Sequence, residues 1–210
     1  TAAVCGGGGA CVQYYSNGTR IPVNTLLRDT SVFNSRMSNR ITTDGQYTAG
    51  HKENSFKLYE AEGAKWMVLS LELWPRQSVM NWAKQVVASH PTYNVIVVTH
   101  SLLVSDGSID TTNGGYGNIT SKSIYDQLIL SYPNIKLALC GHKNGTTMRV
   151  DSGVGDNKVL TILTAFHSND FNPTRFITLN VAGGSVASQI RHSSRTPGST
   201  AADPHYQQYD

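Results

Sequence analysis

Two histidines stand where a short apolar run stops. Val95-Ile96-Val97-Val98 leads into Thr99-His100-Ser101, and the run from Ile135 to Cys140 leads into Gly141-His142. Neutral imidazole is a good ligand for zinc, iron and related metals. In open α/β sheets, ligands gather at the carboxyl ends of strands. A single histidine at a strand end is more often structural. Two of them, on strands separated by one crossover, make a metal pair and a structural role evenly matched readings. Gly141 is expected to adopt a positive backbone angle that turns the His142 imidazole back toward the sheet edge. Asn144 either offers its side-chain carbonyl to a metal or simply forms the turn Lys143-Asn144-Gly145.

The remaining polar residues point to less chemistry. Glu72 ends an apolar run and is expected to pair with Arg76 or another base. Asp106, Asp110 and Asp151 fall in stretches read as loops, where Asp forms turns. His167, in Phe166-His167-Ser168-Asn169-Asp170, is read as a loop histidine. Ser101 lacks the Gly-x-Ser-x-Gly frame of a nucleophile elbow, which argues against a serine hydrolase.

The elements that must hold these residues are legible from Asn54 onward. Asn54 to Glu60 alternates as an edge strand does. Trp66 to Leu71 is nearly continuous in apolar residues, the mark of a strand covered on both faces. Val79, Trp82, Ala83, Val86 and Val87 have helical spacing and stop near His90-Pro91. Val95 to Val98 is a second buried strand. Ile124, Leu128, Ile129 and Tyr132 mark a second helix, capped by Ser121 or Ser123. Ile135 to Cys140 is a third buried strand. Strands then follow at Thr146 to Val150, Lys158 to Phe166, Arg175 to Val181 and Ser185 to Arg191, the last two joined by the turn Ala182-Gly183-Gly184. This order predicts a parallel α/β sheet with an antiparallel sheet packed against it. Trp66, Trp74 and Trp82 are assigned to the core, which leaves little support for carbohydrate binding. Residues 1 to 50 read as loop, and 193 to 210 as a loosely held tail.

Composition narrows the setting. A net charge of +3, with scattered Lys and Arg, gives no nucleic-acid footprint. No apolar run approaches the roughly 20 residues that span a bilayer. Cys5 and Cys11 bracket a Gly-rich stretch flexible enough for them to pair, although free thiols remain an alternative, and Cys140 is expected to be buried. Three sequons begin at Asn17, Asn118 and Asn144. Together with the low charge they favour an extracellular, secreted glycoprotein. Asn144 cannot be both glycosylated and a metal ligand.

Two segments, Val95-Ile96-Val97-Val98-Thr99-His100-Ser101 and Leu139-Cys140-Gly141-His142, resemble the fourth and fifth metal-binding blocks of the calcineurin-like metallophosphoesterase superfamily. Leu71-Glu72-Leu73-Trp74-Pro75-Arg76, Gly114-Gly115-Tyr116-Gly117 and Asn172-Pro173-Thr174-Arg175 are similar to a secreted bacterial branch, so the resemblance runs through residues 1 to 192. It implies an α/β fold, a layered α/β/β/α sandwich, here as an incomplete half with parallel strands followed by antiparallel ones. It also implies a phosphatase-type hydrolase in which two divalent metals (zinc, iron, manganese or similar) activate a hydroxide that attacks phosphorus in line. His100 and His142 would be ligands of the second metal. Asn144 stands where the family commonly has a second histidine of Gly-His-x-His, which weakens the first site.

The family's first three blocks, Asp-x-His, Gly-Asp-x-x-(Asp) and Gly-Asn-His-Asp, are not found as such in this sequence. Asp203-Pro204-His205 imitates the first, but no buried strand precedes it. Thr1-Ala2-Ala3-Val4 is similar to the text that follows the third. The resemblance therefore implies a C-terminal half that is competent only with a missing N-terminal half, in one polypeptide or as a cleaved partner. The rival expectation is an inactive phosphoesterase scaffold that serves as an extracellular structural or assembly subunit, capable of self-assembly. Neither reading involves a nucleic acid or a membrane.

Overall fold

A computed structural model describes residues 4–5, 11–12, 28–114, 116, 119–166 and 173–191, the first two pairs as backbone alone. Sequon residues Asn17 and Asn118, as well as His167, Asp203-Pro204-His205 and the predicted tail, lie outside the described residues. β1 (Val4–Cys5) and β2 (Cys11–Val12) pair antiparallel, with Cys5 opposite Cys11 in the backbone register. The proposed disulfide would join those two positions, but their side chains are outside the description.

The main body is mixed α/β. Helix α1 (Ser31–Met37) precedes β3 (Gly45–Gln46), β4 (Ser55–Ala61) and β5 (Ala64–Ser70). Helix α2 (Gln77–Ser89) leads to β6 (Asn94–Val98), and α3 (Ser121–Ile124) leads to β7 (Ile135–Cys140). β8 (Gly145–Ser152), β9 (Lys158–Ala165), β10 (Thr174–Asn180) and β11 (Ser185–Arg191) complete the order. Seven strands form one sheet in the order β3-β4-β5-β6-β7-β9-β8. β5, β6, β7 and β9 run parallel to one another, while β3, β4 and β8 are antiparallel additions at the two sides.

The strand–helix–strand–helix–strand order from β5 to β7 is as expected, with three adjustments. α1 and β3 interrupt the stretch read as loop; α1 buries no residue, so it leaves no apolar stripe in the sequence. The cap of α3 is Thr120, whose Oγ1 accepts from the Ser123 N–H at 3.1 Å, not Ser121 or Ser123. From Tyr125 to Ile129 that helix widens, with the Leu130 N–H reaching back to Tyr125 O at 3.0 Å.

A larger difference concerns the later strands. β8 and β9 do not belong to a separate antiparallel sheet, because β9 lies parallel beside β7 and carries β8 at the edge. Asp151 is correspondingly a strand residue, held by Arg149, and not a loop residue. β10 and β11 form a two-stranded sheet of their own.

One face of the seven-stranded sheet carries the core. Met67 and Leu69 of β5, Val95 and Val97 of β6, and Val159 and Leu163 of β9 pack with Val79, Met80, Ala83, Val86 and Val87 of α2 and with Ile124, Tyr125 and Leu128. The opposite face is only partly covered. Trp66, Val68, Ile96, Val98 and Leu139 point to it and are half-buried, so the central strands are not sealed on both faces as their apolar runs suggest. The β10–β11 hairpin lies against this second face. Arg175 Nε donates to Thr164 Oγ1 of β9 at 2.7 Å, and Leu179 and Val181 share a cavity of about 290 Å³ with Trp66, Val68 and Ile96.

Candidate functional site

The register of the parallel strands brings the predicted histidines together. Ser70 of β5 pairs with Val98 of β6, and Val98 with Leu139 of β7, so the three strands end side by side. Backbone bonds continue past the strands: Leu71 N–H to Val98 O (2.9 Å), Thr99 N–H to Leu139 O (3.1 Å) and Gly141 N–H to His100 O (2.9 Å). The His100 and His142 ring centroids are consequently 5.0 Å apart, at an interplanar angle of 61°. His100 is exposed and His142 half-buried. Beside them an open cleft of about 430 Å³ is lined by Ser70, Leu71, Val98, His100, Leu139 and Thr164. These strand residues belong to the second face, so His100 opens on the side away from α2 and α3.

The turn at His142 differs from expectation in one respect. Gly141 has no positive φ; the left-handed angle, +69°, falls on His142 itself. Lys143 N–H bonds Gly141 O at 2.9 Å across it, closing a three-residue turn of the rare strained hand. Gly141 N–H, just before that turn, donates to His100 O. A non-glycine residue in this region costs on the order of 1–3 kcal/mol, and such strain concentrates at functional sites.

Asn144, the third candidate ligand, is exposed in the turn before β8. Exposure is compatible with a glycan acceptor and with a solvent-facing ligand alike. Among the described residues, no group of three or more His, Cys, Asp or Glu side chains converges. The two imidazoles match the donor preference of zinc and iron, yet supply only two of the four or more ligands such ions take. The described residues thus fit part of a metal site.

Several neighbours went unnoticed as site residues in the sequence. Trp74, assigned to the core, is indeed 4% exposed, but its indole stands edge-on to His142, with centroids 5.3 Å apart at 82°. Tyr116 also packs against Trp74, with centroids 5.2 Å apart, and the Arg28 guanidinium lies 5.1 Å over the Tyr116 ring. Asp110, read as a turn residue, is buried; it accepts from Ser101 Oγ (3.1 Å) and Thr112 Oγ1 (2.7 Å) and lies 3.8 Å from Lys143 Nζ. That ion pair ties the loop after His100 to the turn carrying His142. The sequence signal for these residues is weak, since each contact spans a long separation. Cys140 is buried as expected, and burial pushes its thiol up to about 11.

Glu72 makes the predicted pair with Arg76 (2.9 Å) and a second with Arg28 (3.1 Å), while Asn54 Nδ2 donates to it at 3.0 Å. Burial alone would raise this carboxyl. Hydrogen bonds from the side chain and backbone of Arg76 and from Asn54, with the charge of Arg28, outweigh burial and hold it below its ordinary value. A carboxyl depressed in the folded state stabilises fully above its unfolded pKa and ceases to as pH falls through the folded one. Glu72→Gln is therefore expected to cost about 1–3 kcal/mol at neutral pH. Urea unfolding should find that deficit shrinking as the pH is taken below the ordinary glutamate range. A deficit that stays constant down to acid pH would show that the charge of Glu72 is not what stabilises.

No family model matches the chain, and no curated protein matches it.

Proposed function

We propose that this chain is the C-terminal portion of a metal-dependent phosphoester hydrolase of the metallophosphoesterase type, in which His100 and His142 are metal ligands. The observation that carries the reading is the approach of the two imidazoles to 5.0 Å at the carboxyl ends of adjacent parallel strands. Strand-end loops of an α/β sheet are where such sites are built. The sequence motifs around both histidines point the same way. A pair of metal ions, when bound, acts as a Lewis acid and provides a hydroxide nucleophile at neutral pH. This chain's part is to hold two imidazoles in place from the sheet side and to offer the cleft beside His100 to the substrate. The remaining ligands would come from a segment bearing Asp and His motifs of the kind not found here. On the same reading the two sheets are the start of a layered sandwich, the hairpin being part of its second sheet.

The extracellular setting is part of this proposal. It is supported by the sequons and by the exposure of Asn144. No helix among the described residues is long and apolar enough to cross a membrane.

Elemental analysis of native, undialysed protein, paired with hydrolysis of a chromogenic phosphodiester, tests the function. Metal near two ions per chain with metal-dependent turnover is the expected result. Protein without metal and without turnover would overturn it and favour an inactive scaffold with an assembly role, as would a mature gene product that lacks the first three blocks.

A further inference from the structure

Two residues with left-handed backbones face each other at the site. His142 has φ +69° and Trp74 φ +42°, although neither is glycine. Trp74 also precedes Pro75, where the chain favours extended angles. An angle so unfavourable persists only when surrounding contacts over-determine it. Those contacts are present. Arg28 donates to the carbonyls of Leu73 (2.9 Å), Trp74 (2.6 Å) and Tyr116 (2.9 Å), and is itself paired with Glu72. The indole Nε1–H donates to Ser121 Oγ at 3.2 Å, and that hydroxyl donates to Ser101 O at 2.8 Å, one residue past His100. Gly114 sits so close that a Cβ there would be 2.5 Å from the Trp74 ring.

The indole is thus fixed from its backbone, from its ring nitrogen and from its six-membered edge, and it meets His142 at 82°. Burial of an aromatic ring does not by itself call for a strained backbone, because a core tryptophan can reach a pocket from an ordinary strand or helix. Here the strained turn places the ring against His142, the member of the histidine pair that is itself strained. Ser121 links the same indole to the backbone beside the other histidine.

We propose that Trp74 is a positioning residue that sets the orientation of the His142 imidazole against His100. This rests on the metal-ligand reading of the two histidines for its consequence, but not for its geometry. An imidazole is aimed by what touches it, and groups that orient a ligand are worth about 10–100-fold in metal affinity.

The test uses the full chain with Cu²⁺ as the probe, measured by calorimetry, alongside the NMR signals of the histidine ring protons. Trp74→Leu is expected to shift the His142 ring signals while leaving those of His90 in place. It should also weaken Cu²⁺ binding at least about tenfold. Trp74→Phe, which keeps an aromatic edge, should restore most of that affinity. The Trp74-dependent part of the affinity should vanish in a His100→Ala background, which separates it from binding at other histidines. Should Trp74→Leu fail to fold, Ser121→Ala keeps the ring but removes the partner of the indole N–H together with its bond to Ser101 O, and should shift the same ring signals by less. Unchanged His142 signals in a folded Trp74→Leu chain, or equal affinity for Leu and Phe variants, would overturn the proposal. A wild-type chain that binds no Cu²⁺ would instead count against the metal reading, and the ring signals would still decide the role of Trp74.

Discussion

If the proposed metallophosphoesterase reading holds, His100→Ala is expected to lower metal affinity and phosphoesterase turnover by at least about 100-fold, since loss of a ligand should exceed the effect of losing a group that merely orients one. His142→Ala should do the same. The double variant should be little worse than either single one, because two ligands of one ion act as a unit and their losses do not add. Stability separates this outcome from unfolding. His100 is exposed, so its truncation should stay within about 0.5 kcal/mol of wild type. At position 142 the strained angle gives an internal control. His142→Gly and His142→Ala both lose the imidazole, but only glycine adopts φ +69° freely. The glycine variant should therefore be the more stable of the two by roughly 1 kcal/mol while binding metal equally poorly. Calorimetric titration, turnover and urea unfolding of the three variants measure all of this. Turnover unchanged in His100→Ala would end the ligand assignment.

The histidine pair was legible because the signal was local. An apolar run followed by a small-residue turn and a histidine marks a strand end, and parallel strands joined by helices must align their ends. The spacing 79, 82, 83, 86, 87 likewise gave α2, and Val79, Met80, Ala83, Val86 and Val87 are its buried residues. What escaped was decided by partners far along the chain. Trp74 reads as core by composition, and it is buried, yet its meaning comes from His142, Ser121 and Gly114, between 40 and 70 residues later. Asp110 reads as a turn former, and Thr112 does bond it that way, but Lys143 gives it a second role. Glycine was the natural owner of the positive angle at 141 and 142. The structure puts it on His142, and no local pattern in the sequence separates the two positions.

The insertion of β9 between β7 and β8 is a case of the same kind. β9 holds Val159, Thr161, Leu163 and Ala165 buried on the core face, and Ile162 is buried on the opposite one, where Leu160 and Thr164 are half-buried. In the sequence that stretch reads as one strand of a separate antiparallel sheet. Strand order is a question of which neighbour is reached first, and the short return from β8 through Val154–Asp156 made an antiparallel pair without showing that the pair would join the parallel sheet.

Leu69→Ala is expected to destabilise the chain by about 2–5 kcal/mol, while Val68→Ala, one residue earlier, should cost less than about 1 kcal/mol. The contrast follows from the pleat. Leu69 is fully buried in the cluster with α2 and with its parallel neighbour Val97, and truncating it opens a cavity that close-packed helices cannot fill. Val68 points to the second face, where it is half-buried and borders the open cavity beside the hairpin, so little packing is lost. Both residues sit in one unbroken apolar run, and the sequence treats them alike. Urea unfolding of the two variants therefore reads how each face of the sheet is covered in solution. Equal costs would mean that the second face is sealed there, by more than the β10–β11 hairpin. The predicted inequality would leave Trp66, Val68, Ile96 and Val98 as a half-covered apolar strip next to the cleft that holds His100. Repeating the pair in protein isolated from its natural source adds the decisive comparison. A cost for Val68→Ala that rises toward the leucine value there, but not in the 210-residue chain, would place an additional layer over the face on which His100 opens.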